Sequence, residues 1–513
     1  MTTNSTPWQR ICQTALIGTS RQTVVPPDVD EATATAFLHL ENQSDEAKLL
    51  AAAAILDSQQ RAGYLPLKEE IKNIHTAPEE EYPYLSQAVE HRIPILFEKE
   101  NHILLSEWLN HVIQAKQIIP PRYLIQFLDF GRNHTDLHTS IRHAGGQRAQ
   151  WLAQQNSDWR YLLQTDETQA CDHIWLEGDR QSRLNYLGHL RQHDSSAAID
   201  LLKKTWKREA ARDRSKFLGS LQINLNIDDL PFLEHALDDR SKEVRSTALD
   251  LLTQLPESGL CQRMAQRIKA HIRLTKTMLG YTLEITLPEN LDDDAIRDGL
   301  ARENFPSLNK KPGKRAGYLY QLIASTPLQR WHGFSNGNIS LLIKMASKTD
   351  WSDIMIAAWA LAAWRQKNQA WLLALLKYAG NTAEQGSINL TSKLNNDEKE
   401  RYLIAQLQKG TRANVDLAHG ILNQLPGTWS KSLSVTLIKT FLLPLPQISN
   451  KPQYPLSEII KLIATRAEPS LFPRVEAETK NILANRKHAW HNTLQQFLTT
   501  YQLRYYMIKE INA

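Results

Sequence analysis

A chain of 513 residues, 42% of them hydrophobic and 22% charged, has an ordinary soluble composition but is too long for a single growing core, so several domains or an elongated array of units is expected. Sixty Lys and Arg against 55 Asp and Glu leave a net charge of only +5, which excludes a globally basic nucleic-acid binder. The 20 glycines are few, as suits a mainly helical chain, and Cys12, Cys171 and Cys261 are far apart without metal-ligand spacing, which points to a reducing, cytoplasmic compartment.

The N-terminal "MTTNSTPWQRICQTALIG" lacks the basic start and apolar core of a signal peptide. "SDEAKLLAAAAILDSQQRAG" follows as a helix capped by Ser44, with Asp45 and Glu46 in its first turn, a stop near Gly63, and four alanines that permit close helix packing. Amphipathic segments at 83–98, 102–116, 121–130 and 146–163 complete an N-terminal helical domain, 1–170. The polar stretches "TDETQACD" and "EGDR" place its boundary near 165–180.

Helices over 196–207 and 211–221 open the next region, 171–272. In "DDLPFLEHAL", Phe232, Leu233, Ala236 and Leu237 form one stripe behind Asp228 and Asp229. In "LDDRSKEVRSTALDLLTQLP", Val244, Ala248, Leu251, Leu252 and Leu255 form another, with Ser241 as cap and Pro256 as stop. An antiparallel helix pair joined by an acidic turn follows. Asp239, Val244, Arg245 and Ala248 match the turn and second helix of a HEAT repeat, which this pair resembles. In that family the aspartate and arginine of successive units hydrogen-bond along the stack, so the resemblance makes Asp239 and Arg245 structural. Independently of the family, a helix pair with one apolar face must stack to bury it. "AHGILNQLP" from Ala418 repeats "ALDLLTQLP" from Ala248 at an offset of 170 residues, so several irregular units lie between.

Residues 273–330 break the helical rule. Tyr281, Leu283, Ile285 and Leu287 alternate with polar residues, and Ile272–Met278 partly alternates too, which predicts a hairpin turning at Leu279-Gly280. "PENLDDDAIRDGL" and the basic loop "NKKPGKRAG" complete an insertion. Helices over 352–365, 368–378, 396–408, 429–443 and 456–466 then fill a C-terminal region, 331–513. Its longest apolar run, Ile354–Trp364, is too short for the ~18 to 20 residues that span a bilayer and reads as a buried helix. The expected fold is mainly α: an irregular HEAT-like α-solenoid with an N-terminal helical domain and a small β-hairpin insertion.

No complete catalytic constellation is visible. His134 and His138, and His488 and His491, have spacings able to share a metal but lack HExxH or a third ligand, so no metal site is expected. Asp292, Asp293, Asp294 and Asp298 lack the EF-hand pattern and suit a first helical turn. In "PGKRAG", Arg315 stands where a Walker A loop needs Ser or Thr, and no GxSxG occurs. The densest charge, "KKTWKREAARDRSK" at 203–216, carries seven basic and two acidic side chains. Lys203, Lys204, Lys207 and Arg208 around Trp206 would suit phosphate contacts and base stacking if the tryptophan faced outward, and a plain solvated face if it faced inward.

Several stretches resemble an uncharacterised bacterial family of helical-repeat proteins often encoded beside MoxR-type AAA+ ATPases and von Willebrand A domain proteins: "ALIGTSR" (15–21), "GGQRAQWLA" (145–153), "DDRSKEVRSTALDLLTQLP" (238–256), "RDG" (297–299) and "LPGTWS" (425–430). The resemblance implies no active site or cofactor. The expected function is a non-enzymatic scaffold or adaptor, docking a protein partner through Lys310, Lys311, Lys314 and Arg315. The genomic setting implies that partner to be the ATPase or its von Willebrand A companion. The alternative is a nucleic-acid-binding array, like the HEAT-like DNA glycosylases, using segment 203–216. No membrane role is expected.

Overall fold

The three-to-four-residue apolar rhythm is realised as helix along most of the chain, in a computed structural model that describes residues 7–25, 35, 39–40, 42–62, 76–163, 174–277, 280–335, 337–379, 384–385, 387–409, 414–445, 454–484 and 489–512. The expectations placed on Gly63, Cys171, Met278, Leu279 and His488 lie outside those residues. The fold is mainly α with a small β insertion. Among the described residues, no helix is long and apolar enough to cross a membrane.

The chain divides into two compact units, Met1–Pro78 and Glu79–Ala513. The single domain expected over 1–170 is therefore split, because its helices serve different cores. In the first unit, Pro7–Ile17 and Asp45–Ala62 pack around Ile11, Ala52 and Leu56, with the small Ala52 at the contact. The Ser44 hydroxyl accepts from the Ala47 amide at 3.3 Å, as its capping position requires.

The second unit begins with a core of its own, built from Leu85 to Leu162. Where one helix was expected over 83–98, Pro94 allows only two short turns, Gln87–Glu90 and Ile93–Leu96: proline donates no hydrogen bond and is tolerated only in a first turn. Helices Leu105–Gln114, Pro121–Gly131 and His138–Gln155 follow. The last starts earlier than the expected 146, and Gly146 breaks it with φ 66° and ψ −159°. The Glu80 carboxylate accepts from the amides of Gln147 (2.7 Å) and Arg148 (3.0 Å), capping the helix where it restarts. A Cβ at Gly146 would meet Glu80 Oε2 at 2.2 Å, in a backbone region reserved for glycine. Gly146→Ala should therefore cost about 1 to 3 kcal/mol. Unfolding in urea checks this, and an unchanged midpoint would show that the break is not needed.

From Trp175 onward a second core runs continuously to Tyr501. Here a helix packs on its chain neighbour and on the helix two places along: Arg180–His193 on Ser195–Thr205 and Ala211–Ser220, and Ala211–Ser220 on Lys242–Leu252, which pairs with Leu230–Ala236. The same pattern links Gly259–His271, Lys314–Ala324 and Ser352–Arg365. The apolar run 354–364 lies in Ser352–Arg365, buried on nearly every side, with Trp359 between Trp331 and Trp371 at ring-centroid distances of 5.2 and 5.3 Å. The expected hairpin forms as Ile272–Thr277 against Gly280–Ile285, in register Ile272↔Ile285 to Thr277↔Gly280. Ile272 and Leu283 anchor it in the core. The helix expected over 429–443 is regular only from Lys431 to Leu437 and ends in a π turn, Ile438–Leu442.

The C-terminal helix, His491–Ile511, belongs to both cores of this unit. Leu494, Phe497 and Tyr501 enter the long one, and Leu503, Met507 and Ile511 enter that of the 85–162 helices.

Candidate functional site

The acidic turn between Leu230–Ala236 and Lys242–Leu252 spends its charges on the stack. The Asp239 carboxylate accepts from Arg214 Nε and Nη2, both at 2.9 Å, and from the Ser241 amide at 2.8 Å. Arg245 does not pair with that carboxylate: its Nη1 donates to the carbonyls of Asp239 (2.7 Å) and Arg240 (3.0 Å). Asp239 therefore takes its arginine from Ala211–Ser220, the α-helix before Leu230–Ala236, while Arg245 closes its own turn. Ser241 occupies the cap position, but its hydroxyl makes no capping bond; its contribution to the turn is its own amide, donated to Asp239. Burial alone would raise the Asp239 carboxyl, yet the bonds from Arg214 and Ser241 outweigh it and hold it below the usual range. One unit earlier, Arg191 and Asp229 form a bidentate pair with neither side chain exposed to solvent.

The insertion is held by a second set of arginines. Asp292 caps the short helix Asp293–Arg297 through the Ala295 amide, as first-turn carboxylates do. Asp298 departs from the grouping made on sequence: it is 1% exposed and accepts from Arg263 (2.6 and 2.8 Å) and Arg267 (2.6 Å) on Gly259–His271. Its neighbour Arg297 reaches Asp238, and Gly299, with φ 87°, leaves no room for a Cβ beside Leu249. Asp250 then receives Arg302 (3.0 Å) and the buried Arg365 (2.9 Å), tying the exit of the insertion to Ser352–Arg365.

Burial would raise the Asp298 carboxyl, but the hydrogen bonds from Arg263 and Arg267 outweigh it and hold it below the usual range. A group with a depressed folded pKa contributes stability that is fully present above its unfolded pKa, about 4, and is lost as pH falls through the folded value. Asp298→Asn should thus be less stable near neutrality and lose less additional stability between about pH 5 and pH 2. Unfolding at a series of pH values reads this directly. Equal pH slopes in the two proteins would remove Asp298 from the acid response.

The basic loop is partly neutralised by its surroundings. Lys311 pairs with Glu303 and Arg315 with Glu289, both at 2.8 Å between exposed side chains. Lys314 opens the helix Lys314–Ala324 with its ammonium 5.9 Å from the Tyr318 ring centre, and Lys310 stands exposed before it. The segment 203–216 has lost the feature that suited it to stacking on bases: Trp206 is buried, edge-on to Phe232 at 4.9 Å, with Arg214 over its ring. Lys203 pairs with Asp200, while Lys204, Lys207 and Arg208 are exposed. The rings of His134 and His138 are taken by the helix end before them, bonding the carbonyls of Phe130 (2.8 Å) and Gly131 (2.9 Å). Of the other pair, only His491 is described.

Residues 10–511 match the sequence profile of a family of unknown function, DUF5691. The chain belongs to that family. No curated protein matches it. Within this DUF5691 chain, the stretches that carried the resemblance form joints. Thr19 of "ALIGTSR" donates to Glu46 at 2.9 Å, and "GGQRAQWLA" holds the Gly146 break. "DDRSKEVRSTALDLLTQLP" supplies Asp238, Asp239, Arg245 and Asp250, and "RDG" clamps the insertion. In "LPGTWS", Thr428 donates to Glu107 at 2.6 Å beside Arg504, and Trp429 is buried.

Sequence reading passed over a groove on the C-terminal helix. Asn492, Gln495, Gln496, Thr499 and Gln502 are exposed there and line a hollow of about 700 Å³ against residues 92–101. The available signal was the absence of charge from the outward positions of this long helix up to Gln502.

Proposed function

We propose that this DUF5691 protein is a non-enzymatic, HEAT-like scaffold or adaptor acting in the reducing cytoplasm and docking a protein partner through Lys310, Lys311, Lys314 and Arg315. One observation carries the reading. The ion pairs of the insertion centre on a buried carboxylate at Asp298, which fixes it to Gly259–His271, whereas those of Lys311 and Arg315 in the basic loop lie between exposed side chains. Ion pairs between exposed side chains contribute little, about 0 to 1 kcal/mol, so Lys311 and Arg315 exchange Glu303 and Glu289 for a partner's carboxylates at small cost. A firmly held insertion carrying exchangeable basic side chains suits an acidic protein surface. The genomic setting implied by the family resemblance points to a MoxR-type AAA+ ATPase or its von Willebrand A companion as that partner.

Charge reversal at the four positions should preserve the circular dichroism spectrum while abolishing co-purification with the ATPase or its companion from the native host. Unchanged co-purification would remove the loop, and absence of any stoichiometric protein partner would remove the scaffold reading. Salt-dependent nucleic-acid binding lost on substituting Lys203, Lys204, Lys207 and Arg208 would instead establish the array as a nucleic-acid binder; burial of Trp206 weighs against that outcome.

A further inference from the structure

Outward positions on a surface helix are ordinarily rich in charge. On the C-terminal helix from His491 to Gln502 they read Asn492, Gln495, Gln496, Thr499 and Gln502, with no ionisable group among them; the next exposed position, Lys509, lies two turns further on. Among the described residues, the four amide side chains have no hydrogen-bond partner; the Thr499 hydroxyl donates to the Gln495 carbonyl.

These side chains face the hollow of about 700 Å³, and a second hollow of about 300 Å³ adjoins it, sharing Gln496 and Thr500. Each has one exposed isoleucine on its wall, Ile95 in the first and Ile103 in the second. In the first, the one cation is already matched: Arg92 is bidentate to Glu510 and lies over the Tyr506 ring, while Glu98 accepts only from the neutral Asn101 amide, at 3.4 Å. In the second, Lys461 pairs with Glu458, and of the two lysines lining that hollow Lys99 alone has no carboxylate among the described residues. A polyanion therefore finds no track of free cations. A sugar ring finds no open aromatic face, since Tyr506 is taken up by Arg92 and Tyr505.

A primary amide offers both donors and an acceptor, the complement of a peptide unit's one N–H and one C=O. Asn492 to Gln502 spans about 15 Å at 1.5 Å per helical residue, the length of about four to five extended residues at ~3.3 Å each. We propose that the groove binds an extended, uncharged polypeptide segment, its main chain bonded to Asn492, Gln495, Gln496 and Gln502 and its apolar side chains seated on Ile95 and Ile103. The site is preorganised because Arg504 and Glu510 fix the helix to the 85–162 block, so little ordering is lost on binding. The inference takes from the scaffold reading only that a polypeptide is bound, and its surface is separate from the basic loop.

The test is selection of phage-displayed random heptapeptides on the full-length protein, followed by titration of the best fluorescein-labelled peptide. Uncharged sequences with apolar residues should be enriched. Replacing the four amides with alanine, or Ile103→Asp alone, should weaken binding by about tenfold or more. Both variants change exposed positions and should keep the native unfolding midpoint, and charge reversal of the basic loop should leave peptide affinity unchanged. Absence of enrichment, equal affinity for the alanine variant, or loss of affinity only in the loop variant would overturn the groove proposal. So would amide-dependent binding of an oligosaccharide or a homopolymeric RNA probe in place of peptide. A groove that fails while the partner still co-purifies leaves the scaffold reading standing.

Discussion

Arg191→Met is expected to destabilise the array by about 3 to 5 kcal/mol, the range for removing one partner of a buried ion pair. Arg191 is fully buried on Arg180–His193. Two of its nitrogens meet the Asp229 carboxylate at 2.9 and 2.8 Å, and its other N–H groups reach the carbonyls of Ser195, Leu221, Ile223 and Asn224. The carbonyls of Leu221, Ile223 and Asn224 follow the end of Ala211–Ser220, and that of Ser195 opens Ser195–Thr205, so a single guanidinium satisfies backbone groups in the turns of two helix pairs. Methionine fills similar volume but donates nothing, and it removes the guanidinium from the buried Asp229 carboxylate, leaving it the Asn226 amide among the described residues. Arg191→Met/Asp229→Asn should recover part of the loss, because the uncompensated charge is gone. Urea unfolding of the three proteins decides it. A single variant within about 1 kcal/mol of native would mean that solvent reaches the site.

Deleting 491–513 should have the largest effect of all. Leu494, Phe497 and Tyr501 would leave one core, and Leu503, Met507 and Ile511 the other. At about 1.5 to 3 kcal/mol for each exposed side chain, the loss is comparable to the entire net stability of a domain, about 5 to 15 kcal/mol. Arg504 would go as well; it is fully buried and bonds Glu107 at 2.6 and 2.7 Å, Thr428 at 2.8 Å and the Ala467 carbonyl. The shortened chain is expected to bind a hydrophobic dye and to lose cooperative unfolding over both 85–162 and the last helices of the array. Native-like hydrogen-exchange protection in 85–162 after the deletion would show that this core stands without its closing helix.

Helices and local joints were legible because their causes lie within a few residues. The stripe from Val244 to Leu255, the alternation from Tyr281 to Ile285 and the Ser44 cap each depend on spacing along one segment, and each is found in the structure. The ion pairs were not legible in the same way. Asp239 sits beside Arg240 and six residues from Arg245, yet it pairs with Arg214, because stacking sets that guanidinium against the turn. Asp298 reads as one more acid in a first turn until two arginines some thirty residues earlier are brought over it. The C-terminal helix shows the limit most clearly. Its apolar stripe demands burial, but that the stripe divides between two cores, and that its outward amides face residues 92–101, follows from contacts hundreds of residues apart in sequence. Periodicity specifies which face of a helix must leave water; only the packed structure decides which other surface receives it, since apolar burial is non-directional and long-range polar pairs form only after that choice is made.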